Sequence, residues 1–350
     1  MKIGILTAAR TNNNGTDLQA FAMQNIFSRF CNNVEVINYK CDKLENSRKV
    51  LPSISVKNIV KIPIKMYKNI SHSLFRKRYI NYSLRYYDKK SLKDTNYDRF
   101  VVGSDQIWNL DITGNDLNFF LPFKSCGKKY SYAASLGKTD IVAWQNKYDL
   151  GGLLEDFEEI SLREQSGVQA MEKIGVIAKN HLDPLLMVSS EKWKKMCKGR
   201  RFETPYVFVY TAQSNDKALK FAREYAKKHN MKVYMYNDGV RPFKGIKSLR
   251  FLSVNGFLNV LNNAELIVTN SYHGLSLAIN LHKNFRVFAL ENHPQSNSRM
   301  LDLLEKLHLE NYIIQDNYIL NEQLPPWEDV EKKLKPLRDS SCEYIKEICR

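Results

Sequence analysis

The stretch Leu266-Ile267-Val268-Thr269-Asn270-Ser271-Tyr272-His273-Gly274 changes from apolar to polar side chains within a few residues. The apolar run at its start is typical of a buried strand, and Gly274 opens a run of small and apolar residues with helical spacing. The β-branched and aromatic run Arg286–Leu290 predicts a second strand after the helix Gly274–His282. A strand, a helix and a strand in succession indicate a parallel sheet.

The same alternation extends along the chain in two series. The first series predicts strands at Ile3–Thr7, Val34–Asn38, Arg99–Gly103, Tyr130–Ala134 and Ile160–Leu162, with helices at Thr16–Phe30, Ile141–Phe157 and Glu164–Lys173. The second predicts further strands at Tyr206–Tyr210 and Lys232–Tyr236, with helices at Asp216–His229, Phe257–Asn263 and Ser298–Leu309. The polar, basic segment Gly199–Pro205 separates the two series. We therefore predict an α/β protein with two successive open parallel sheets, a two-lobed arrangement with a central cleft.

The predicted domains are an N-terminal domain at 1–200 and a C-terminal domain at 201–325. A final helix at 326–350 is free to cross back to the first domain, and a basic helical insertion is expected at about 55–95. A chain of 350 residues agrees with two domains, because one hydrophobic core rarely serves more than roughly 300 residues. In open parallel sheets ligands bind outside the carboxyl ends of the strands, so functional residues are expected there.

The charge balance predicts an anionic partner. The chain has 53 Lys and Arg against 37 Asp and Glu, a formal net charge of +16. Residues 57–99 hold twelve basic residues against three acidic ones, interleaved with apolar and aromatic residues. This segment has two interpretations, a helix at an anionic membrane surface or an insertion whose basic side chains cover a packed face. No nucleic-acid recognition motif accompanies the charge, so we expect no nucleic-acid partner.

Several classes of protein are disfavoured. No apolar run has the length of a spanning helix, and the start of the chain is better explained as a buried strand than as a secretory leader. The six cysteines are scattered without metal-ligand spacing, which predicts reduced thiols in a cytoplasmic protein and no metal site. Phosphate-binding G-x-x-x-x-G-K-[ST], dinucleotide-binding G-x-G-x-x-G and hydrolase G-x-S-x-G motifs are absent from the sequence.

Three clusters at strand ends carry candidate functional groups. Asp105 follows a predicted buried strand and could serve as a general base or accept a hydroxyl proton, the alternative being a helix cap. Arg163 lies between a strand and a helix, where a guanidinium can bind a carboxylate or phosphate or pair with a nearby acid. His273 is expected in the first turn of a helix, where it could contact a phosphate, donate a proton or have only a structural role.

Taken in order, the strand-end clusters resemble the polysaccharide pyruvyl transferase family. The matching pieces are Ile3–Thr7, Asn14-Gly15, Leu18-Gln19-Ala20, Gly103–Asn109, Tyr132–Gly137, Ser161–Gly167, Leu182–Leu186 and Thr269–Gly274. The likeness spans about residues 1–310 and is specific at the level of the family.

The resemblance implies two Rossmann-like domains that face a cleft, arranged as in GT-B glycosyltransferases. It also implies the transfer of pyruvate from phosphoenolpyruvate to two sugar hydroxyls, which forms a cyclic ketal. The donor would bind mainly to the C-terminal domain and the acceptor to the N-terminal one, with no metal or organic cofactor. The acceptor would be a surface polysaccharide or its lipid-linked precursor, handled in the cytoplasm or at the inner face of the cell membrane. Some members carry Arg two residues before the donor-site histidine, where this chain has Ser271, and Arg299 or Lys283 are candidates to replace it.

The predicted site follows from these implications. His273 is expected to be the acid and Asp105 the base. The predicted substrate contacts are Arg163, Asn270, Ser271, Tyr272, Arg299, Asn14, Gly15, Ser104 and Gln106. Two alternatives remain open, a GT-B glycosyltransferase that uses a nucleotide sugar and a non-catalytic member of a polysaccharide assembly complex.

Overall fold

The structure is a computed structural model that describes residues 1–49, 61–197, 199, 202–237, 243–290, 294–315 and 322–350. It forms two compact units, a first one of Met1–Arg48, Arg76–Met187 and Leu334–Arg350 and a second one of Lys49–Phe75 and Val188–Lys333. The main change of unit falls between Met187 and Val188, whereas the sequence places it at Gly199–Pro205. Residues 55–60 of the predicted insertion and 200–201 of the predicted boundary lie outside the described residues.

The first unit is built on a parallel sheet whose strand order is β3-β2-β1-β4-β5-β6. The strands are β1 (Ile3–Leu6), β2 (Val34–Tyr39), β3 (Tyr82–Tyr87), β4 (Arg99–Val102), β5 (Lys128–Ser131) and β6 (Phe157–Glu159). A short parallel pair joins β7 (Ser161–Leu162) to β8 (Lys179–Asn180). This is the strand order of the Rossmann fold, in which the direction of winding reverses between β1 and β4.

The second unit repeats that order over five parallel strands, β11-β10-β9-β12-β13. They are β9 (Tyr206–Tyr210), β10 (Lys232–Tyr236), β11 (Lys247–Leu249), β12 (Leu266–Thr269) and β13 (Phe285–Val287). In register, Thr269 at the end of β12 lies beside Tyr210 at the end of β9. The reversal point of this unit therefore lies between β9 and β12.

Helices connect the strands. Those up to the change of unit are α1 (Asn14–Phe27), α2 (Asp42–Glu45), α3 (Ile62–Tyr79), α4 (Leu110–Thr113), α5 (Val142–Tyr148), α6 (Leu150–Leu154), α7 (Gln165–Glu172) and α8 (Pro184–Met187). The later ones are α9 (Ser190–Met196), α10 (Asp216–Lys228), α11 (Val254–Asn262), α12 (Tyr272–Asn280), α13 (Ser298–Leu307) and α14 (Trp327–Ile348). No helix in the described part of the chain is both long and apolar enough to cross a membrane.

Each unit has its own core. In the first unit, Trp108 stacks on Phe120 in a core that includes Phe100 and Val102 from one face of β4. In the second unit, Val207 and Val209 of β9 pack against Leu266 and Val268 of β12 and against Phe221 of α10. Because the central strands are covered on both faces, their side chains are almost all apolar, which is why the sequence identifies them well.

The predicted helix Ile141–Phe157 is wrong in one respect, because the chain turns in its middle. Asp149 has φ 49° and caps α6 by accepting a hydrogen bond from the amide of Gly152. The last residue of the predicted helix, Phe157, is instead the first residue of strand β6. An aspartate with left-handed backbone angles can end one helix and cap the next. Because the apolar pattern does not change at this residue, the sequence predicts one continuous helix.

Candidate functional site

The reversal point of the second unit brings the end of β12 close to the start of α12. The Thr269 hydroxyl donates to the carbonyl of Tyr210 at 2.6 Å and accepts from the amide of Ser271 at 3.0 Å. Ser271 caps α12, with its hydroxyl 3.5 Å from the amide of Gly274. A Cβ on Gly274 would lie 2.7 Å from both Thr269 Oγ1 and the Tyr210 ring. Only glycine lets the helix begin this close to the strands.

His273 is the second residue of α12 and lies in its first turn, as the sequence predicts. Its ring centroid is 6.0 Å from that of Tyr272, and the guanidinium carbon of Arg299 lies 5.9 Å from the same Tyr272 ring. Arg299 comes from the first turn of α13 and donates from Nε to the carbonyl of Ser296 at 3.4 Å. An imidazole, a guanidinium and the positive end of a helix therefore lie around Tyr272, an arrangement suited to an anion.

Asn270 holds the loop after β9. Its side-chain oxygen accepts from the amide of Ala212 at 2.7 Å, and its nitrogen donates to the carbonyl of Gln213 at 3.0 Å. Both polar atoms of this predicted substrate contact are thus used to join the ends of β9 and β12. The side chain shapes the site, and a contact with substrate stays a prediction.

The reversal point of the first unit gathers the predicted residues around Asp105. One carboxylate oxygen of Asp105 accepts from the Thr16 hydroxyl of α1 at 3.1 Å and the other from the amide of Gln106 at 2.8 Å. Asp105 has φ 74°, in the left-handed region. Gly103 lies two residues before Asp105, and a Cβ there would be 2.2 Å from the carbonyl oxygen of Tyr132. The chain therefore needs glycine at position 103.

Asn14 and Gly15 begin α1, which is capped by the side chain of Asn13. The Asn14 side chain is buried, and neither its nitrogen nor its oxygen has a hydrogen-bond partner among the described residues. Ser104 is also buried; its hydroxyl donates to the carbonyl of Ala133 at 2.7 Å. The Gln106 side chain accepts from the side-chain amide of Asn109 at 3.1 Å. The structure thus brings Ser104, Asp105 and Gln106 against the first turn of α1.

Arg163 forms the ion pair that the sequence left open as the alternative. Its guanidinium is fully buried, with Nη1 3.0 Å from Asp183 Oδ2 and Nε 3.5 Å from Glu164 Oε2. The other oxygen of Glu164 accepts from the Ser135 hydroxyl and from the amides of Leu136 and Gly137. Sequence reasoning did not identify Asp183 and Glu164 as the partners of Arg163. A donor contact by Arg163 stays a prediction.

A metal site is not seen in the described residues, where no three His, Cys, Asp or Glu side chains lie close enough to hold an ion. The expectation that the protein uses no metal stays a prediction.

In the first unit, burial raises the pKa of the Cys41 thiol to about 11.

Comparison with known proteins gives a match to one protein family. The family model of polysaccharide pyruvyl transferases matches residues 13–292. None of the curated proteins compared with the chain matches it.

Two solved structures share the fold. One is UDP-GlcNAc 2-epimerase from Neisseria meningitidis bound to UDP-GlcNAc, with a TM-score of 0.50, 10% identity, and coverage of 100% of this chain and 94% of that one. The other is a protein from Listeria monocytogenes assigned as a UDP-N-acetylglucosamine 2-epimerase, with a TM-score of 0.50, 11% identity, and coverage of 100% and 91%. At this identity the likeness shows the fold alone, and it confirms the prediction of two Rossmann-like domains of the GT-B type. The family match covers most of the chain, and the protein therefore belongs to the polysaccharide pyruvyl transferase family.

Proposed function

We propose that the protein transfers pyruvate from phosphoenolpyruvate to two hydroxyls of a sugar in a surface polysaccharide or its lipid-linked precursor. The observation that carries this proposal is the grouping of His273 and Arg299 around Tyr272 at the start of α12. Phosphoenolpyruvate has a phosphate and a carboxylate, and helix amides with a guanidinium are the groups that bind such anions. Arg299 supplies the cation that other members place at the position of Ser271.

The proposed reaction needs one acid and one base. His273 protonates the methylene carbon, which becomes a methyl group, and the neighbouring carbon becomes an oxocarbenium ion that a sugar hydroxyl attacks. Asp105 accepts the proton of that hydroxyl. The carbon–oxygen bond to phosphate then breaks, and the second hydroxyl closes the ketal. Of the two hydroxyl protons, one ends on the methyl carbon and the other on the released phosphate, so the reaction needs no oxidant or metal.

The test separates donor binding from chemistry. Phosphoenolpyruvate should raise the unfolding temperature of the protein, whereas UDP and GDP sugars should not. Arg299→Gln should weaken phosphoenolpyruvate binding in calorimetry at least ~10-fold, because a charge-assisted contact is lost. His273→Asn should lower phosphate release with acceptor at least ~10²-fold.

His282→Asn is the matched control for the acid, because His282 is an exposed histidine of the same unit that pairs with Glu331. It should keep the normal rate of phosphate release. Stabilisation by a nucleotide sugar alone would favour a glycosyltransferase. Absence of both donor binding and phosphate release would favour a non-catalytic role.

We also propose that the protein works in the cytoplasm and contacts the anionic inner face of the membrane through α3. Met66, Ile70 and Leu74 repeat every four residues on this helix and are 51%, 58% and 62% exposed. Lys77 and Arg78 are exposed at its end, and no acidic residue occurs between Glu45 and Asp88. An exposed apolar stripe beside basic residues suits the surface of an anionic bilayer.

Vesicle flotation tests this contact. A variant with Met66→Ser, Ile70→Ser and Leu74→Ser should bind phosphatidylglycerol vesicles at least ~10-fold more weakly, because three apolar side chains no longer enter the lipid. The control replaces Ile112, Val142 and Ile177 by Ser, three exposed apolar residues of the first unit. Equal binding by the two variants, or binding that salt does not weaken, would contradict the proposed contact.

A further inference from the structure

The reversal point of the first unit lies between β1 and β4, and the segments that follow these two strands meet there. Asp105 comes three residues after β4, and Thr16 is the third residue of α1, the helix that follows β1. The two residues are 89 positions apart in the sequence. Ligands of open parallel sheets bind in the crevice at the reversal point, so a contact between these two segments lies where a substrate is expected.

Thr16 and Asp105 form a buried hydrogen bond between the two segments. Thr16 Oγ1 donates to Asp105 Oδ2 at 3.1 Å, and the two residues are 5% and 7% exposed. A hydrogen bond to a carboxylate is stronger than one between neutral groups, and burial reduces the competition from water. The proposed reaction uses the Asp105 carboxylate and assigns nothing to Thr16.

The main chain of Thr16 is fixed by the cap of α1. The Asn13 side chain accepts from the amides of Gly15 and Thr16 at 2.8 Å and 3.3 Å. A threonine hydroxyl inside a helix commonly bonds to a carbonyl of the preceding turn, whereas Thr16, in the first turn, donates to Asp105. Because a β-branched side chain has few rotamers, the fixed main chain also fixes the position of the hydroxyl.

The main chain of Asp105 is fixed by the segment that follows β5. Its carbonyl accepts from the amide of Ser135 at 3.1 Å, and the residue forms a parallel bridge with Ala134. Its carboxylate accepts from the Gln106 amide at Oδ1 and from Thr16 at Oδ2. A donor on each oxygen sets the orientation of the carboxylate plane. An ionised carboxylate has about four lone-pair sites, so these two bonds are compatible with a further bond from a sugar hydroxyl.

We propose that Thr16 is a positioning residue, whose hydroxyl holds the Asp105 carboxylate in the orientation that accepts the proton of the sugar hydroxyl. This inference rests on the proposed function, in which Asp105 is the base. A base contributes to the rate only when its oxygen lies within hydrogen-bond reach of the proton that it removes. Loss of the Thr16 hydroxyl would let the carboxylate turn, so that the base is present but less often in reach.

The test measures phosphate release from phosphoenolpyruvate, with a panel of p-nitrophenyl hexosides as acceptors. Thr16→Val keeps the shape of threonine and removes its hydroxyl. Its kcat should fall at least ~10-fold, because a hydrogen bond to a charged group is lost. Its KM for phosphoenolpyruvate should stay within about twofold of the unchanged protein, since the donor is proposed to bind at α12. Thr16→Ser keeps the hydroxyl and should restore kcat to within about threefold.

Thr95→Val is the matched control. Thr95 is a buried threonine of the same unit, and its hydroxyl donates to the carbonyl of Leu92 at 2.7 Å. It precedes β4 and so lies at the opposite end of that strand from Asp105. The control should keep kcat within about twofold of the unchanged protein. Thermal unfolding of each variant checks that it is folded.

A double variant separates positioning from a general loss of stability. If Thr16 acts through the Asp105 carboxylate, Thr16→Val combined with Asp105→Asn should lose no more kcat than Asp105→Asn alone. If Thr16 acts by another route, the losses of the two single variants should multiply in the double variant. Multiplied losses would overturn the positioning role.

The outcomes separate this role from the proposed function. Equal losses of kcat in Thr16→Val and Thr95→Val, or no restoration by Thr16→Ser, would overturn the positioning role and leave the proposed function standing. A raised KM for phosphoenolpyruvate with normal kcat in Thr16→Val would do the same. Normal phosphate release by Asp105→Asn would remove Asp105 as the base and overturn the role of Thr16 with it. No phosphate release from the unchanged protein with any acceptor of the panel would overturn the proposed function and this role together.

Discussion

Arg163 shows how one side chain at a strand end can serve either a ligand or the fold. Its position after β7 is typical of an anion-binding arginine, yet its guanidinium is fully buried between Asp183 and Glu164. Asp183 also accepts from the amide of Leu185 at 2.9 Å. Removing one partner of such a buried pair leaves the other charge uncompensated, which is far more costly than losing a surface pair.

We predict that Arg163→Met lowers the free energy of unfolding by ~3–5 kcal/mol, because it leaves the Asp183 carboxylate buried and unpaired. Urea unfolding measures this loss. Arg85→Met is the control, since Arg85 forms an exposed pair with Asp94 and should cost at most ~1 kcal/mol. A variant with normal stability that no longer binds phosphoenolpyruvate would instead give Arg163 the donor contact that the resemblance implies.

The buried phenol of Tyr344 makes the stability of the folded protein depend on pH in the alkaline range. Burial raises the pKa of its phenol, the charge of Glu159 raises it further, and its hydroxyl donates to the carbonyl of Ser131 at 2.9 Å. Unfolded tyrosine titrates near pH ~10, so the contribution of Tyr344 is complete below that pH and is lost as pH rises above it. Tyr344→Phe should cost ~1 kcal/mol at pH 7 and make the loss of stability above pH ~10 less steep. Urea unfolding between pH 7 and pH 11 measures both effects, and an unchanged slope in alkali would contradict this account.

At the scale of the element, the start of α12 depends on the absence of a side chain at Gly274. The helix begins against Thr269 and Tyr210, and this short distance places His273 in the first turn beside the strand ends. The sequence predicts a strand, a polar turn and a helix here, because the spacing of apolar residues changes from that of a strand to that of a helix within a few neighbouring residues. The distance between the helix and the strands is a tertiary property, and no pattern in the sequence encodes it.

We predict that Gly274→Ala destabilises the protein by ~1–3 kcal/mol, because the new methyl group would overlap the Thr269 hydroxyl and the Tyr210 ring. The control is Gly151→Ala in α6, where the nearest atom to a new Cβ is 3.6 Å away. Alanine favours a helix over glycine, so the control should be neutral or slightly stabilising. Chemical unfolding of the two variants compares them, and equal stability of both would show that α12 can shift without cost.

At the scale of the whole molecule, the last helix belongs to both units. Trp327–Lys333 lie in the second unit, whereas Leu334–Arg350 lie in the first. In the first unit, Ser341 accepts from the amide of Leu182, and the Tyr344 ring stacks on His181 at 4.3 Å. The end of the chain therefore packs against the segment after β8, for example at Leu182, which precedes Ser341 by 159 residues.

We predict that Ile345→Ala lowers the free energy of unfolding by ~2–5 kcal/mol, because Ile345 is buried at the end of α14. Glu347→Ala on the exposed face of the same helix is the control and should change stability by at most ~0.5 kcal/mol. Thermal and urea unfolding measure both variants. A small effect of Ile345→Ala would mean that the end of the helix is dispensable for the first unit.

The sequence by itself indicates the central strands, most of the helices and the places where polar side chains follow apolar ones. It misses the turn at Asp149 and predicts a helical insertion where strand β3 lies at Tyr82–Tyr87. Strand β12 is predicted with its observed ends and the start of α12 to within two residues, because burial and helical spacing can be identified from neighbouring residues. The tertiary structure alone decides which acid pairs with Arg163, since Asp183 reaches it only when β7 and β8 pair. It alone brings the Thr16 hydroxyl of α1 to the carboxylate of Asp105, because sheet order and chain crossings, rather than local period, set which distant side chains meet.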